Sequence, residues 1–365
     1  VDKKYKILVC PLGWGLGHAG RMIPVITWLR DRGHHIIIGA DDKHFAFFNS
    51  ELPGYDLIKF PGFKPVYSRF LPAYTVLLFQ IPLLLYHIVH EHFKLKKIIR
   101  DNSIDILISD NRFGLWNKNI KTVYVTHMPL IPFPRLFRCF EFIGIWLHRA
   151  IIRKYTLCFI PDLPGSINLT GRLSHGLRLP DNTKFIGVLS RFMSQDPVNI
   201  KNTSGVRHNC VIISGPPPQN GILRKKLTLL LQNRQPKTII LGGKPDNSSA
   251  MTRSGNIIYY GHLSSGPMKE TILQSENIIA RAGYSTIMDL VCLRKSALLI
   301  PTPGQTEQEY LSTYLSDRNW FSYISQKNIN DDFKFPMPLS TEWCDDLIAR
   351  SRMFFKKALN ELLDK

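Results

Sequence analysis

The sequence lacks the patterns that would mark a metalloprotein or a disulfide scaffold. Its six cysteines, Cys10, Cys139, Cys158, Cys210, Cys292 and Cys344, are scattered through 365 residues with no Cys-x-x-Cys pair. That usage fits neither a zinc site nor a disulfide framework, and it predicts a reducing cytoplasm. No Asp-x-Asp occurs and no His/Cys cluster has ligand spacing, so neither a bound metal nor a resident cofactor is expected. Repeats and low-complexity tracts are absent. Lys3-Lys4-Tyr5-Lys6 leads into an apolar stretch of only Ile7 to Pro11, which does not fit a secretory signal. Acidic residues are also scarce, with 28 Asp and Glu against 47 Lys and Arg, a formal charge of +19. The excess is larger before residue 190 than after it, and it predicts a polyanionic partner or surface.

What is present is an ordinary globular composition, 44% hydrophobic and 21% charged, in a chain long enough for two domains. Short β-branched runs alternate with helical patterns: Lys6–Cys10, His35–Gly39, Ile104–Ser109, Thr122–Thr126, Cys210–Ser214, Lys237–Leu241, Asn256–Tyr260, Asn277–Ala280 and Ala297–Pro301. This rhythm predicts an α/β protein with parallel sheets wrapped by helices. The polar, aperiodic stretch 193–206 reads as a linker between domains spanning 1–192 and 207–340. Residues 341–365 carry apolar side chains near helical spacing and read as a terminal amphipathic helix, packing back on the first domain. The segment Phe70–His90 lacks Asp, Glu, Lys and Arg over twenty-one residues. Pro72 and Pro82 interrupt it, so it reads as a buried or membrane-dipping helix rather than a span.

After the first strand comes Gly13-Trp-Gly15-Leu-Gly17-His18-Ala-Gly20-Arg21, followed by a helical apolar pattern. Strand, glycine loop and helix in that order is what anion cradling needs. Gly15, Gly17 and Gly20 satisfy the dinucleotide fingerprint, with Asp41 and Asp42 about twenty residues on, so an NAD(P)-binding protein is one reading. The other centres on His18. A helix N-terminus disfavours an imidazolium, which leaves this ring suited to act as a general base, or merely to hydrogen-bond the loop. Asp110 lies just past the third predicted strand, Ile104–Ser109, at the edge where ligand groups collect. It is either the carboxylate that orients His18 or a loop cap.

The second half holds Arg281-Ala-Gly283-Tyr-Ser285-Thr286-Ile-Met-Asp289 and then Gly304-Gln305-Thr-Glu307-Gln308-Glu309. Twice a strand ends in small or polar residues and a helix begins with hydroxyl, amide or carboxylate groups. This arrangement resembles the donor half of GT-B glycosyltransferases, closest to family 28, which includes the enzyme adding N-acetylglucosamine to the peptidoglycan lipid precursor. The glycine loop ending in His18 is similar to that family's acceptor-side loop, built here on Gly13, Gly15, Gly17 and Gly20. The resemblance implies two Rossmann-like doubly wound parallel-sheet domains facing a cleft. It further implies that Asp289 holds the nucleotide ribose, where the family favours Glu, and that Glu307, Gln308 and Glu309, beside Gln305, meet sugar hydroxyls. Arg191 would meet the diphosphate, with Arg281 assisting, and the stretch around His262 would face the base, usually uracil. Ser214 and Gly215 open the family's phosphate turn, but Pro216, Pro217 and Pro218 remove amide donors there, and Gly283, Ser285 and Thr286 would compensate. The activity the resemblance implies is inverting, metal-independent transfer from a nucleotide sugar, expected to be UDP-linked, with His18 as base.

The acceptor is read from the first half. From Met128 to Lys154, bulky apolar residues interleave with Arg and Lys, a pattern for the headgroup boundary of an anionic leaflet or for a core helix with solvated cations. A lipid, lipid-linked or saccharide acceptor at the inner face of a membrane is expected. No nucleic-acid module is recognisable, so a nucleic-acid partner is not expected. An epimerase acting on nucleotide sugars remains the alternative enzyme of the same fold.

Overall fold

The computed structural model describes residues 3–66, 68, 73–193, 207–215, 217–243 and 251–364. The chain divides into two compact units, one formed by residues 1–66, 74–189 and 347–365, the other by residues 67–73 and 190–346. The expected linker lies outside the described residues from 194 to 206, as does Pro216.

The first unit runs β1 (Lys6–Cys10), α1 (Leu16–Arg30), β2 (His35–Ala40), α2 (Asp42–Glu51), β3 (Asp56–Lys59), α3 (Ala73–Phe79), α4 (Ile81–Asn102), β4 (Ile106–Asp110), β5 (Lys121–Val125), α5 (Glu141–Ile152), β6 (Leu157–Ile160) and β7 (Thr183–Phe185). Its strands form one sheet in the order β3-β2-β1-β4-β5-β6-β7, and every pairing is parallel. The central strands Ile-Leu-Val-Cys, Ile-Ile-Ile and Ile-Leu-Ile are apolar without alternation because helices cover both of their faces. Leu8, Cys10, Ile37 and Leu107 of the sheet pack with Leu95 and Ile98 of α4. Strand order reverses between β1 and β4. The loops after these two strands therefore lie side by side at the carboxyl edge, where sheets of this kind bind ligands.

The second unit repeats the plan: β8 (His208–Ile212), α6 (Gln219–Leu231), β9 (Thr238–Leu241), β10 (Met251–Ser254), β11 (Ile257–Tyr260), α7 (Ser265–Leu273), β12 (Ser275–Ala280), α8 (Tyr284–Cys292), β13 (Leu298–Leu299), α9 (Thr306–Asp317) and β14 (Ser322–Tyr323). The order is β10-β11-β9-β8-β12-β13-β14, parallel except for the exposed edge pair β10 and β11. Here the reversal falls between β8 and β12.

The last helix, α10 (Trp343–Asp364), belongs to the first unit from Leu347 onward. Leu347, Ile348, Phe355, Leu359 and Leu362 are buried, and Phe355 meets Trp28 of α1 edge to face at 6.2 Å. The contact is close at Gly187, whose φ is +75°, and a Cβ there would lie 2.4 Å from Ser351 Cα. Only glycine fits that approach.

Of the two readings of Phe70–His90, a buried or a membrane-dipping helix, the buried one fails. The part of Phe70–His90 that the structure describes is helical but not buried: Phe79 is 79% exposed and Tyr86 63%. The buried residues of helix α4, Glu91, Leu95 and Ile98, all lie beyond that segment. Among the described residues no helix is long and apolar enough to cross a membrane.

Candidate active site

In the first unit, α1 begins directly after the glycine loop, with Gly15 as a cap that offers no side chain. His18 sits in the first turn, and because β1 and β4 are neighbours its ring reaches the end of β4. Nδ1 donates to Asp110 Oδ2 at 2.9 Å. Asp110 is fully buried while the His18 side chain keeps 19% of its surface exposed. No partner of Nε2 occurs among the described residues. Burial, then the nearby Arg21 cation, push the imidazole below its ordinary 6.5, against the opposing pull of Asp110. Burial alone would raise Asp110, but the Arg21 cation and the His18 ring hold it below the usual carboxylate range.

The glycines have different places. Around Gly15 a Cβ would meet nothing within 4 Å, and at Gly13 it would lie 3.7 Å from Asp41 Oδ2. Gly17 is exposed in the first turn of α1 and Gly20 is buried one turn later. Asp41, the acid required by the dinucleotide reading, is already committed. Oδ1 accepts from the His44 amide at 3.0 Å and caps α2, and Oδ2 pairs with Lys64 at 2.5 Å. Asp42 pairs with Lys59 at 2.7 Å. Asp41 thus serves the local structure, while Asp42 makes only a surface ion pair.

In the second unit the resemblance residues gather at the carboxyl ends of adjacent strands. Ser214 and Gly215 follow β8, and Gly283 follows β12 as the cap of α8, with no side-chain bond to the helix start. These come together: a Cβ on Gly283 would lie 3.5 Å from Ser214 Oγ and 3.8 Å from Thr286 Oγ1. Ser285 and Thr286 are half-buried in the first turn of α8. His262 follows β11. Gln305 caps α9 without a side-chain bond, and Glu307 stands in its first turn. Gln308 Oε1 accepts from Thr302 N at 2.8 Å and Glu309 Oε1 from Gly304 N at 2.8 Å, so both shape the loop before α9. Asp289 and Arg191 hold each other: Nη2 lies 3.2 Å from Oδ2, and Ser190 Oγ donates to Oδ1 at 2.6 Å.

Arg281 requires a correction. Expected to face the diphosphate, it is fully buried, and its guanidinium donates to the carbonyls of Ile300, Pro301 and Gln219. Burial pulls it down to about 10. It ties the loops after β12 and β13 to the start of α6 and presents no face to a ligand.

Two residues escaped the sequence reading. Arg21 is 2% exposed, grips Asp110 through Nε and Nη2, and donates through Nη1 to His127 Nδ1 at 3.2 Å. The three-residue spacing from His18, one face of one helix, is the signal that would have found Arg21. His127 follows β5, and nothing local marks it.

Residues 225–333 match the model of the glycosyltransferase family 28 C-terminal domain. The glycotransferase of kitacinnamycin has a similar structure, with a TM-score of 0.63 at 13% identity, covering 97% of this chain and 96% of that one. Spinosyn rhamnosyltransferase SpnG, complexed with thymidine diphosphate, gives 0.59 at 14% identity, covering 98% and 95%. MurG of Acinetobacter baumannii gives 0.51 at 10% identity, covering 99% and 100%. No curated protein shows significant sequence similarity to the chain. Two successive units of this topology give the chain the fold of these glycosyltransferases, and residues 225–333 of the second unit are similar to the family 28 C-terminal domain.

Proposed function

We propose that the protein transfers a hexose, with inversion and without a metal, from a nucleotide sugar to a hydroxyl of a lipid, lipid-linked or saccharide acceptor. The observation that carries this reading is the dyad of His18 and Asp110, with Nδ1 tied to a buried carboxylate and Nε2 open. In the proposed step the acceptor oxygen forms a bond to the anomeric carbon as the bond to the diphosphate breaks. The electron pair leaves on the diphosphate, and His18 Nε2 takes the hydroxyl proton. Leaving-group charge is met by Arg191 and by the amides of Ser285 and Thr286 in the first turn of α8. A uridine nucleotide is the donor we favour, from the resemblance at His262 and Asp289.

The acceptor side favours a membrane surface. Leu85, Val89 and Phe93 of α4 and Phe142, Trp146 and Leu147 of α5 are exposed. Both helices border the loop that follows Asp110: Gly114 lies against the backbone of Ile88, and Phe113 meets His148 of α5 at 5.6 Å. Lys96, Lys97, Arg135 and Arg138 are exposed among these apolar groups, as a peripheral protein on an anionic, cytoplasmic leaflet requires.

A thermal-shift panel of UDP-, GDP- and dTDP-sugars with NAD and NADP tests the reading, followed by product analysis with lipid-extract acceptors. Stabilisation by a nucleotide sugar and a glycosylated product are expected. Stabilisation by a nicotinamide cofactor alone, or an altered free nucleotide sugar with no acceptor consumed, would overturn it.

A further inference from the structure

The base proposed above has a difficulty that the dyad alone does not solve. A lone buried carboxylate beside an imidazole stabilises the imidazolium, and a histidine so paired would hold its proton at neutral pH. Counting buried charge shows how the site avoids this. Asp110 carries −1 and Arg21 +1, so with the His18 ring uncharged the cluster is neutral; protonating His18 leaves a net +1 in a pocket where Asp110 and Arg21 are both essentially sealed from water. Without Arg21 the same protonation would neutralise the cluster. Sign and geometry both depend on one side chain.

We propose that Arg21 is the positioning residue of this dyad, fixing the Asp110 carboxylate so that one oxygen receives Nδ1–H of His18 and the proton taken on Nε2 is passed on rather than kept. The grip is side-on, with Nε 3.1 Å from each carboxylate oxygen and Nη2 bonded to Oδ1. The far end of the guanidinium is held by its bond to His127 Nδ1. Arg21 is thus fixed at both ends, and Asp110 Oδ2 is aimed at His18. The charged and titratable groups that face the His18 ring are Arg21 from its own helix, Asp110 at the end of β4, and His127 after β5. A lysine would restore the charge but not the planar fork.

This inference rests on His18 as base, and the test separates the two claims. The primary readout needs no substrate: the titration of the His18 ring, followed by carbon–proton correlation in protein labelled at histidine Cε1, with His18→Gln assigning the signal. Arg21→Gln is expected to raise the His18 midpoint by about one pH unit or more. Arg21→Lys is expected to leave it within a few tenths of a unit while slowing UDP release from UDP-glucose and UDP-N-acetylglucosamine. Asp110→Asn is expected to move the midpoint down, which keeps the claim testable should an Arg21 variant fail to fold. A midpoint unmoved or lowered in Arg21→Gln, or unmoved or raised in Asp110→Asn, overturns the role of Arg21 whatever the base is. If instead the midpoints move as expected while His18→Gln still transfers sugar, the base assignment fails and the account of Arg21 stands.

Discussion

The chemistry at His18 depends on atoms that no local pattern displays. The sequence shows a histidine in a glycine loop and an aspartate after a later strand; the bond between them exists because β1 and β4 are neighbours in the sheet. Burial and Arg21 hold the His18 imidazole below 6.5, so the proton-accepting form persists as pH falls to that value. Transfer should therefore stay level from neutral pH to about 6.5 and decline only below it, when the folded-state ring takes its proton. A decline that begins above pH 7 in a kcat/KM profile would contradict this. Asp110→Asn should lower kcat by about 10²-fold or more with KM for the donor little changed, because the carboxylate orients the base and lies in the first unit.

At the scale of elements, the nine strands read from the sequence are all present, because strands buried on both faces announce themselves as uninterrupted apolar runs. The strands missed were of two kinds. β3, β10 and β14 are edges or two-residue bridges with exposed or polar members, and β6 and β7 are four and three residues long. Periodicity has little to act on in such pieces. The donor-side loops were legible as helix starts following strands. Which residue would face a ligand was not, since Arg281 and Arg191, both expected at the diphosphate, differ in burial and partners rather than in type. The clearest mechanical dependence is at Gly187, where α10 rests on the loop after β7. Gly187→Ala should lower the melting temperature by several degrees, corresponding to about 2 kcal/mol or more, since Ser351 backbone stands where the methyl would go. A melting temperature equal to wild type would show that α10 is not packed there.

For the molecule as a whole, composition sets a charge of +19 without saying where it acts. The fold leaves α4 and α5 with apolar residues outward among lysines and arginines, which a soluble core helix does not do. Each basic residue near an anionic surface contributes about 1 kcal/mol, so four or five suffice for peripheral attachment. The protein should co-sediment with phosphatidylglycerol vesicles at low salt, less with phosphatidylcholine, and release as sodium chloride is raised. Phe93→Asp combined with Trp146→Asp should weaken sedimentation about tenfold without changing the melting temperature, as both side chains are exposed. Equal retention by single-stranded oligonucleotides would shift the partner toward nucleic acid.

The most direct test of the account is the rate of sugar transfer by His18→Ala, measured with the donor and acceptor that the panel selects, beside the affinity for the donor alone. Loss of transfer by about 10³-fold with donor affinity unchanged is predicted, since the proposed mechanism has the imidazole take the hydroxyl proton and the second unit hold the nucleotide. Transfer at the wild-type rate would contradict the claim that this ring is the base.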